Sequence, residues 1–139
     1  MIKYKVIPRK NMLTEAVLYY GQIQQEGVKD IEKIASEIEK KSTVSRADIL
    51  SVLSDLQEAI ISALQDGQGV KLGDVGSFRP TLKTMGVEDA NDFQTANIRK
   101  VNVVFTPSST MKYRLDKKSP FMQFKKVTAK PVSEGDDGE

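Results

Sequence analysis

Alternation of apolar and polar residues opens the chain and predicts a β-strand over residues 2–8. Its apolar face would carry Ile2, Tyr4 and Val6. Pro8 is expected to end the strand, and residues 9–11 follow as a turn or loop. A second β-rich run, Val17–Tyr20, comes next. The two runs predict a hairpin whose connection is too long for a two-residue turn.

After Gly27 the periodicity changes from two to about 3.6, which predicts an amphipathic helix over residues 28–40. Its apolar positions are Val28, Ile31, Ile34, Ala35 and Ile38. Ser45 with Asp48 three residues later resembles a capping box, with Asp replacing the usual Glu, and predicts the start of a second helix. Gly67 is expected to cap its C-terminus.

The second helix carries a continuous apolar stripe formed by Ile49, Val52, Leu53, Leu56, Ile60, Ala63 and Leu64. Leu50 and Ile61 widen this stripe beyond what one neighbouring helix would cover. A wide apolar surface on a small domain favours a subunit interface.

Strand patterns return from Val70 onward. Residues 70–72 predict a short strand, and the two glycines of 73–78 suit a tight turn. A strand follows over 79–83, where Pro80 restricts the position to an edge or a bulge. We interpret the polar residues 84–98 as a projecting or partly ordered connection.

Residues 100–106 alternate again, which predicts a strand with Val101, Val103 and Phe105 facing inward and Pro107 at its end. Residues 108–110 could cap a short helix over 111–117. Residues 121–127 could add one more strand. Residues 131–139 lack an apolar pattern and are expected to be disordered.

Charge is unevenly distributed along the chain. Residues 101–130 hold seven bases and one acid, a net +6, whereas residues 28–66 hold five bases and eight acids, a net −3. Residues 131–139 contribute four further acids. Such a distribution favours a polyanionic partner, although charged runs also occur as solvated faces.

Catalytic and metal-binding chemistry lacks its usual residues, since the sequence contains no Cys and no His. The acid pairs Glu88–Asp89 and Asp136–Asp137 have no base, nucleophile or ligand framework nearby in sequence. We therefore expect no enzyme activity, no cofactor, no metal and no small-molecule substrate. The short apolar runs argue against a membrane span, and the N-terminus lacks the apolar core of a secretory signal.

The order of these elements resembles the HU/IHF family of bacterial histone-like DNA-binding proteins. The resemblance covers roughly residues 28–117. It is carried by Ala47–Leu64 with Asp66-Gly67, by Val70–Phe78, by Val103–Pro107 and by Met111-Lys112. The Gly-x-x-Gly-x-Phe turn ending at Phe78 is fairly specific where it directly follows a capped amphipathic helix.

Residues 1–26 have no place in the minimal family fold and resemble a subgroup with an extra N-terminal β-hairpin. The resemblance implies an α+β fold: two helices, then an antiparallel sheet with a projecting arm, then a short C-terminal helix. We divide the chain into a hairpin extension packed on the domain (1–26), the HU-like domain (27–118), a possible extra strand (119–130) and a disordered acidic tail (131–139).

Family members are intertwined homodimers whose β-arms embrace the DNA minor groove. The best-known members carry Arg-Asn-Pro at the arm tip, where the proline wedges between base pairs. This chain has no such motif at residues 84–98, so strong bending is in doubt. Met85 or Phe93 could act as a wedge, although buried contacts or a disordered tip are the preferred interpretation.

Candidate DNA contacts follow from the basic residues of the arm and the last helix. We expect Arg79, Lys83, Arg99 and Lys100 to meet phosphates, with sheet-edge protection as the alternative. Lys112 and Arg114, with Lys117 and Lys118, could touch phosphates or be a solvated helix end. For Lys3, Lys5, Arg9 and Lys10 a solvated face is preferred. Phe78 and Phe105 are expected in the core rather than as base-stacking platforms.

The sequence thus predicts sequence-nonspecific binding to double-stranded DNA by a homodimeric, cytoplasmic, nucleoid-associated architectural protein that condenses DNA. The alternative is an HU-shaped protein–protein interaction module without DNA binding. The acidic helical segment, the unusual arm and the added hairpin motivate that alternative.

Overall fold

The computed structural model describes residues 1–128, which form two units. One unit comprises Met1–Gly27 together with the described residues from Arg114 onward, and the other comprises Val28–Tyr113. Within residues 1–128, no helix combines the length and the apolar character needed to cross a bilayer. The predicted acidic tail, 131–139, lies outside the described residues.

The first unit is a three-stranded sheet in the order β2-β1-β6. Strands β1 (Ile2–Lys10) and β2 (Val17–Ile23) form the predicted hairpin, joined by residues 11–16. Strand β6 (Phe124–Lys126) lies inside the predicted range 121–127 and pairs in parallel with the start of β1.

Pro8 does not end the first strand, contrary to the sequence-based expectation, and the predicted turn at 9–11 begins only at Asn11. The carbonyl of Tyr4 accepts a hydrogen bond from Val127 N–H at 2.8 Å, on the side of β1 that faces β6. Pro8 has the same phase along the strand, and within residues 1–128 no strand pairs with β1 there on that side. The missing proline N–H therefore breaks no ladder bond.

The second unit begins with helices α1 (Ile31–Lys41) and α2 (Arg46–Gln65). Helix α1 starts three residues later than predicted because the Asp30 side chain caps it, accepting from Lys33 N–H at 2.9 Å. The predicted cap of α2 is confirmed, since Ser45 Oγ accepts from Asp48 N–H at 3.3 Å.

Gly67 ends α2 as predicted. Its φ of 78° lies in the left-handed region, where glycine carries no Cβ penalty. Gly67 N–H donates to the Leu64 carbonyl at 3.1 Å, and Gln68 N–H donates to the Ala63 carbonyl at 2.9 Å. This pair of bonds is a Schellman motif, which satisfies two carbonyls at the helix end.

A second sheet follows in the order β3-β4-β5, all antiparallel. Its strands are β3 (Val70–Leu72), β4 (Gly76–Thr84) and β5 (Ile98–Pro107). Pro80 lies in a stretch of β4 that pairs with β5 alone, which fits its predicted edge position. Helix α3 (Ser109–Arg114) starts and ends earlier than the predicted 111–117.

The core of the described chain is small. Among residues 1–128 the buried apolar residues are Ala35 on α1 and Ile49 on α2. Much of the apolar stripe of α2 is exposed, with Val52 at 65% and Ile61 at 52%. One chain therefore leaves most of its large apolar side chains in contact with solvent.

Candidate nucleic-acid interface

The register of β4 against β5 sorts their side chains onto two different faces. Directly opposite residues of an antiparallel pair share a face, and successive residues alternate. The polar face therefore carries Arg79, Thr81 and Lys83 on β4, opposite Val104, Asn102 and Lys100 on β5. The apolar face carries Phe78, Pro80 and Leu82, opposite Phe105, Val103 and Val101.

Three of the four predicted arm contacts thus share one face. Arg79, Lys83 and Lys100 are exposed, and no carboxylate within residues 1–128 forms an ion pair with them. Their charges are available to an external anion.

Arg99 occupies a different position, because the register shifts beside it. Lys83 pairs with Lys100, but the next residue, Thr84, pairs with Ile98. Arg99 is the extra residue of this β-bulge, and a bulge re-aims the side chain it carries. No sequence signal marks this bulge, so alternation alone could not place Arg99.

The apolar face differs from the sequence-based expectation. Val101, Val103 and Phe105 do share one face, but they are 59%, 54% and 41% exposed. These three side chains would be buried only if another molecule, such as a second copy of the chain, packed against them. Phe78 and Phe105 pack against each other, with ring centroids 5.0 Å apart at an interplanar angle of 43°.

The glycine turn fixes the base of the arm. Gly76 has φ 152°, and a Cβ there would lie 2.4 Å from the Thr106 carbonyl oxygen and 2.7 Å from the Phe105 ring. Only glycine allows β4 to approach β5 so closely. Ser108 ties the turn to α3, since its hydroxyl donates to the Asp74 carbonyl and accepts from Met111 N–H at 3.0 Å.

The arm tip is built from two 3-10 turns, Ala90–Asp92 and Thr95–Asn97. Met85 N–H donates to the Asn97 carbonyl at 2.8 Å, which extends the β4–β5 ladder into the tip. The Asp89 carboxylate accepts from Asn91 N–H at 3.0 Å and caps the first turn. The tip therefore contains local folded structure, where the sequence predicts a projecting or partly ordered connection.

Met85 and Phe93 do not make the buried contacts that were preferred for them. They are 46% and 42% exposed. Both side chains are accessible on a tip that also carries Glu88, Asp89 and Asp92.

The two candidate residues of the last helix, Lys112 and Arg114, belong to different units of the structure. Lys112 is exposed on α3. Arg114 ends that helix and belongs to the first unit, where its guanidinium lies 5.3 Å from the centre of the Phe121 ring. A cation–π contact thus engages Arg114. Within residues 1–128, no group of three or more acidic, His or Cys side chains could hold a metal ion.

Two helices followed by a three-stranded antiparallel sheet, an arm and a short helix define an HU-like α+β fold. A family model described as HU domain fused to wHTH, Ig, or Glycine-rich motif matches residues 1–123. The chain therefore belongs to this HU-HIG family, and the predicted relationship to HU-like proteins and the predicted fold class are confirmed.

One solved structure has the same architecture. A crystal structure of a candidate bacterial DNA-binding protein from Bacteroides vulgatus matches with a TM-score of 0.66 at 16% identity, over 94% of this chain and 50% of that one. The present chain therefore spans half the length of that relative. An HU variant from Thermotoga maritima matches with a TM-score of 0.47 at 17% identity, over 63% of this chain and 99% of the other. No curated protein matches the chain significantly.

Proposed function

We propose that this protein binds double-stranded DNA without sequence specificity, as a nucleoid-associated architectural protein. The observation that carries the proposal is the β4–β5 register, which gathers Arg79, Lys83 and Lys100 on one polar face. Membership of an HU-domain family supports it. So does the DNA-binding description of the Bacteroides vulgatus relative.

The mechanism is electrostatic. Exposed cations on the arm neutralise phosphates and release condensed counterions, a gain that does not depend on base sequence. Arg99 at the bulge extends the same charge toward the tip, and Lys112 could add a phosphate contact from α3. A β-arm of this kind fits the minor groove, whose readout is mainly of width and A·T content.

A homodimer completes the proposal. The apolar face of β4–β5 and the stripe of α2 are exposed in one chain, notably at Leu82 (59%) and Ile61 (52%). Contiguous exposed apolar surface on a small domain marks an interaction site. A second copy supplies a matching surface by symmetry, because a two-fold interface uses the same patch on both subunits.

The role is structural rather than catalytic. Binding to the nucleoid in the cytoplasm and condensing DNA are what such a dimer would do. Because the arm tip lacks the Arg-Asn-Pro motif, we expect the protein to hold the duplex without kinking it sharply.

A salt titration of duplex binding tests the proposal. We expect log affinity to fall linearly with log salt for random duplexes. The triple variant Arg79→Gln/Lys83→Gln/Lys100→Gln should reduce the slope by about 2.7, since each lost phosphate contact removes about 0.9. A charge-matched control, Lys33→Gln/Lys40→Gln/Lys41→Gln on α1, should keep the slope. A chain ending at Lys130 would show whether the acidic tail competes with DNA.

A protein–protein module without DNA binding is the second candidate. The ordered, acidic arm tip favours it, because phosphates repel Glu88, Asp89 and Asp92. A purified dimer that ignores every duplex at low salt, yet recovers a stable protein partner, would replace the first proposal with this one.

A further inference from the structure

A second row of cations lies on the sheet of the first unit. Lys3, Lys5 and Arg9 occupy alternate positions of β1 and therefore share one face. Lys125 of β6 stands beside Lys3 in the parallel register and joins that face. We name these four residues the basic sheet face. Lys10 belongs to the opposite face, opposite Val17.

The reverse face of this sheet is mostly apolar. It carries Ile2, Tyr4, Val6 and Pro8 on β1, with Ile23, Gly21 and Tyr19 opposite them on β2 and Phe124 beside Ile2 on β6. A Cβ at Gly21 would lie 3.7 Å from the Tyr4 ring, which is an ordinary contact distance. The separation is partial, because the reverse face also carries Lys10 and Lys126, and the basic sheet face also carries Ile7, Leu18 and Tyr20.

Most of this charge is uncompensated. Lys3 forms an ion pair with Glu26 at 2.7 Å, and the pKa of that carboxyl is lowered by the Lys3 hydrogen bond. Within the described 1–128 range, Lys5, Arg9 and Lys125 form no ion pair. Three cations on one face of a small sheet thus lack a protein counter-charge.

Arg9 is also held against the sheet. Its guanidinium carbon lies 5.6 Å from the centre of the Tyr20 ring, a residue that shares the face from β2. This cation–π contact restrains the guanidinium while leaving its N–H donors available. Because the guanidinium already lies over the Tyr20 ring, an unpaired base could stack there only poorly.

The dimensions of the face suit a duplex backbone. Arg9 lies six positions after Lys3 along β1, and at about 3.3 Å per residue this spacing spans roughly 20 Å. Duplex DNA carries about one charge per 1.7 Å of axis, so such a span runs beside several phosphates.

We propose that the basic sheet face is a second DNA-contact surface, which binds duplex phosphates through Lys5, Arg9 and Lys125. The inference rests on the proposed function, because the arm and the basic sheet face would both bind duplex DNA. The sequence favoured a solvated face for the β1 cations, because it could not bring Lys125 from more than a hundred residues away into the same row.

Duplex DNA fits this face better than two other polyanions do. Single-stranded nucleic acid is bound through stacking aromatic side chains, and among residues 1–128 the aromatic ring on this face, Tyr20, is already in contact with the Arg9 guanidinium. Amphipathic segments bind membrane surfaces by inserting a broad apolar face, and the more apolar face of this sheet is the reverse one, whereas the basic sheet face carries only Ile7 and Leu18 among the aliphatic residues of β1 and β2. Two DNA-contact surfaces in one chain would let the protein hold two duplex segments together.

The test combines a salt titration with duplex bridging, using the full chain. The variant Lys5→Gln/Arg9→Gln/Lys125→Gln should lower the salt slope by about 2.7, so that between 50 and 200 mM salt it loses about 40-fold less affinity than the parent. It should also fail to capture a fluorescent duplex on beads that carry a biotinylated duplex. The α1 control variant, Lys33→Gln/Lys40→Gln/Lys41→Gln, should behave as the parent in both assays.

Two further measurements separate the outcomes. The charge-conserving variant Lys5→Arg/Arg9→Lys/Lys125→Arg should bind and bridge as the parent, and equal melting temperatures exclude unfolding as the cause of any loss. A parental slope and parental bridging in the neutral triple variant would overturn the inference while leaving the arm proposal intact. The arm proposal fails separately, if its own triple variant binds as the parent. Charge-dependent binding to phosphatidylserine vesicles or single-stranded RNA in preference to duplex would also overturn the inference.

Discussion

Lys83 and Lys100 stand directly opposite each other across β4 and β5, at the last regular pair before the register shift. Like charges placed directly opposite on a sheet destabilise it. Within residues 1–128 neither lysine forms an ion pair. The folded arm thus holds a local repulsion that an external anion would relieve.

Replacing one member of this pair should separate stability from binding. We expect Lys100→Gln to raise the free energy of unfolding by about 0.2–1 kcal/mol, because the cross-strand repulsion is removed. The same change should lower the salt slope of duplex binding by about 0.9. Urea unfolding and a binding titration measure the two effects. Lys71→Gln, opposite Ser77 on β3, is the control for stability, and a drop in stability for Lys100→Gln would contradict the argument.

Gly76 is expected to tolerate no side chain. In Gly76→Ala the new Cβ would meet the Thr106 carbonyl oxygen at 2.4 Å, in a backbone conformation with φ 152°. We expect a loss of about 3 kcal/mol or more, or failure to fold. Gly86→Ala meets nothing within 4 Å and should leave thermal melting nearly unchanged. Equal melting of the two variants would show that the close approach of β4 and β5 is wrong.

The N-cap of α2 should account for a measurable part of stability. Ser45→Ala removes the hydroxyl that accepts from Asp48 N–H, and such losses cost about 0.5–2 kcal/mol. Chemical denaturation measures the difference. Ser51→Ala, an exposed position within the same helix, should instead be neutral or slightly stabilising, since alanine favours helix.

Protonation of Glu26 should report the Lys3 contact. The Lys3 hydrogen bond lowers the pKa of Glu26 below its ordinary value of 4.5. A depressed folded pKa means that the pair stabilises the fold above the ordinary pKa and that this stability is lost as pH falls through the folded value. A carboxyl NMR titration should show the pKa of Glu26 rising in Lys3→Gln. Glu37, whose pKa is lowered by the hydrogen bond to Lys29, should be unaffected, and an unchanged Glu26 would refute the contact.

Dimer formation should depend on the width of the α2 stripe. Ile61 is already 52% exposed in one chain, so Ile61→Glu costs the monomer little. We expect it to weaken association strongly, because a charge would be buried without a partner. Sedimentation equilibrium measures the shift. Val28→Glu, at a 72% exposed position before α1, is the matched control, and a monomeric parent at micromolar concentration would refute the dimer.

Local signals account for what the sequence predicted well. Caps such as Ser45 and Gly67 act within one helical turn, so their positions in sequence fix the ends of α2. The glycine turn before Phe78 acts at similar range. Alternation of apolar and polar residues likewise predicted β4 and β5, because successive side chains of a strand point to opposite faces of the sheet.

Long-range geometry accounts for what the sequence did not predict. The sequence around Pro8 predicts a strand end, because it does not reveal that, among the described residues, no strand pairs with β1 on the side of the Pro8 nitrogen. The bulge at Arg99 depends on how two strands of unequal length are aligned. The place of Lys125 beside Lys3 depends on the pairing of β6 with β1, which lies more than a hundred residues away in sequence.

The parallel pairing of β6 with β1 has a consequence for the order of folding. Ile2 pairs with Phe124, so β1 lacks one neighbour until the residues of β6 have been synthesised. At about 5–20 residues per second, the wait is roughly 6–25 s. Until then β1 and β2 form an isolated hairpin, which is marginally stable in water. The helices and the second sheet do not pair with β6, so the sheet of the first unit is expected to form after the secondary structure of the second unit.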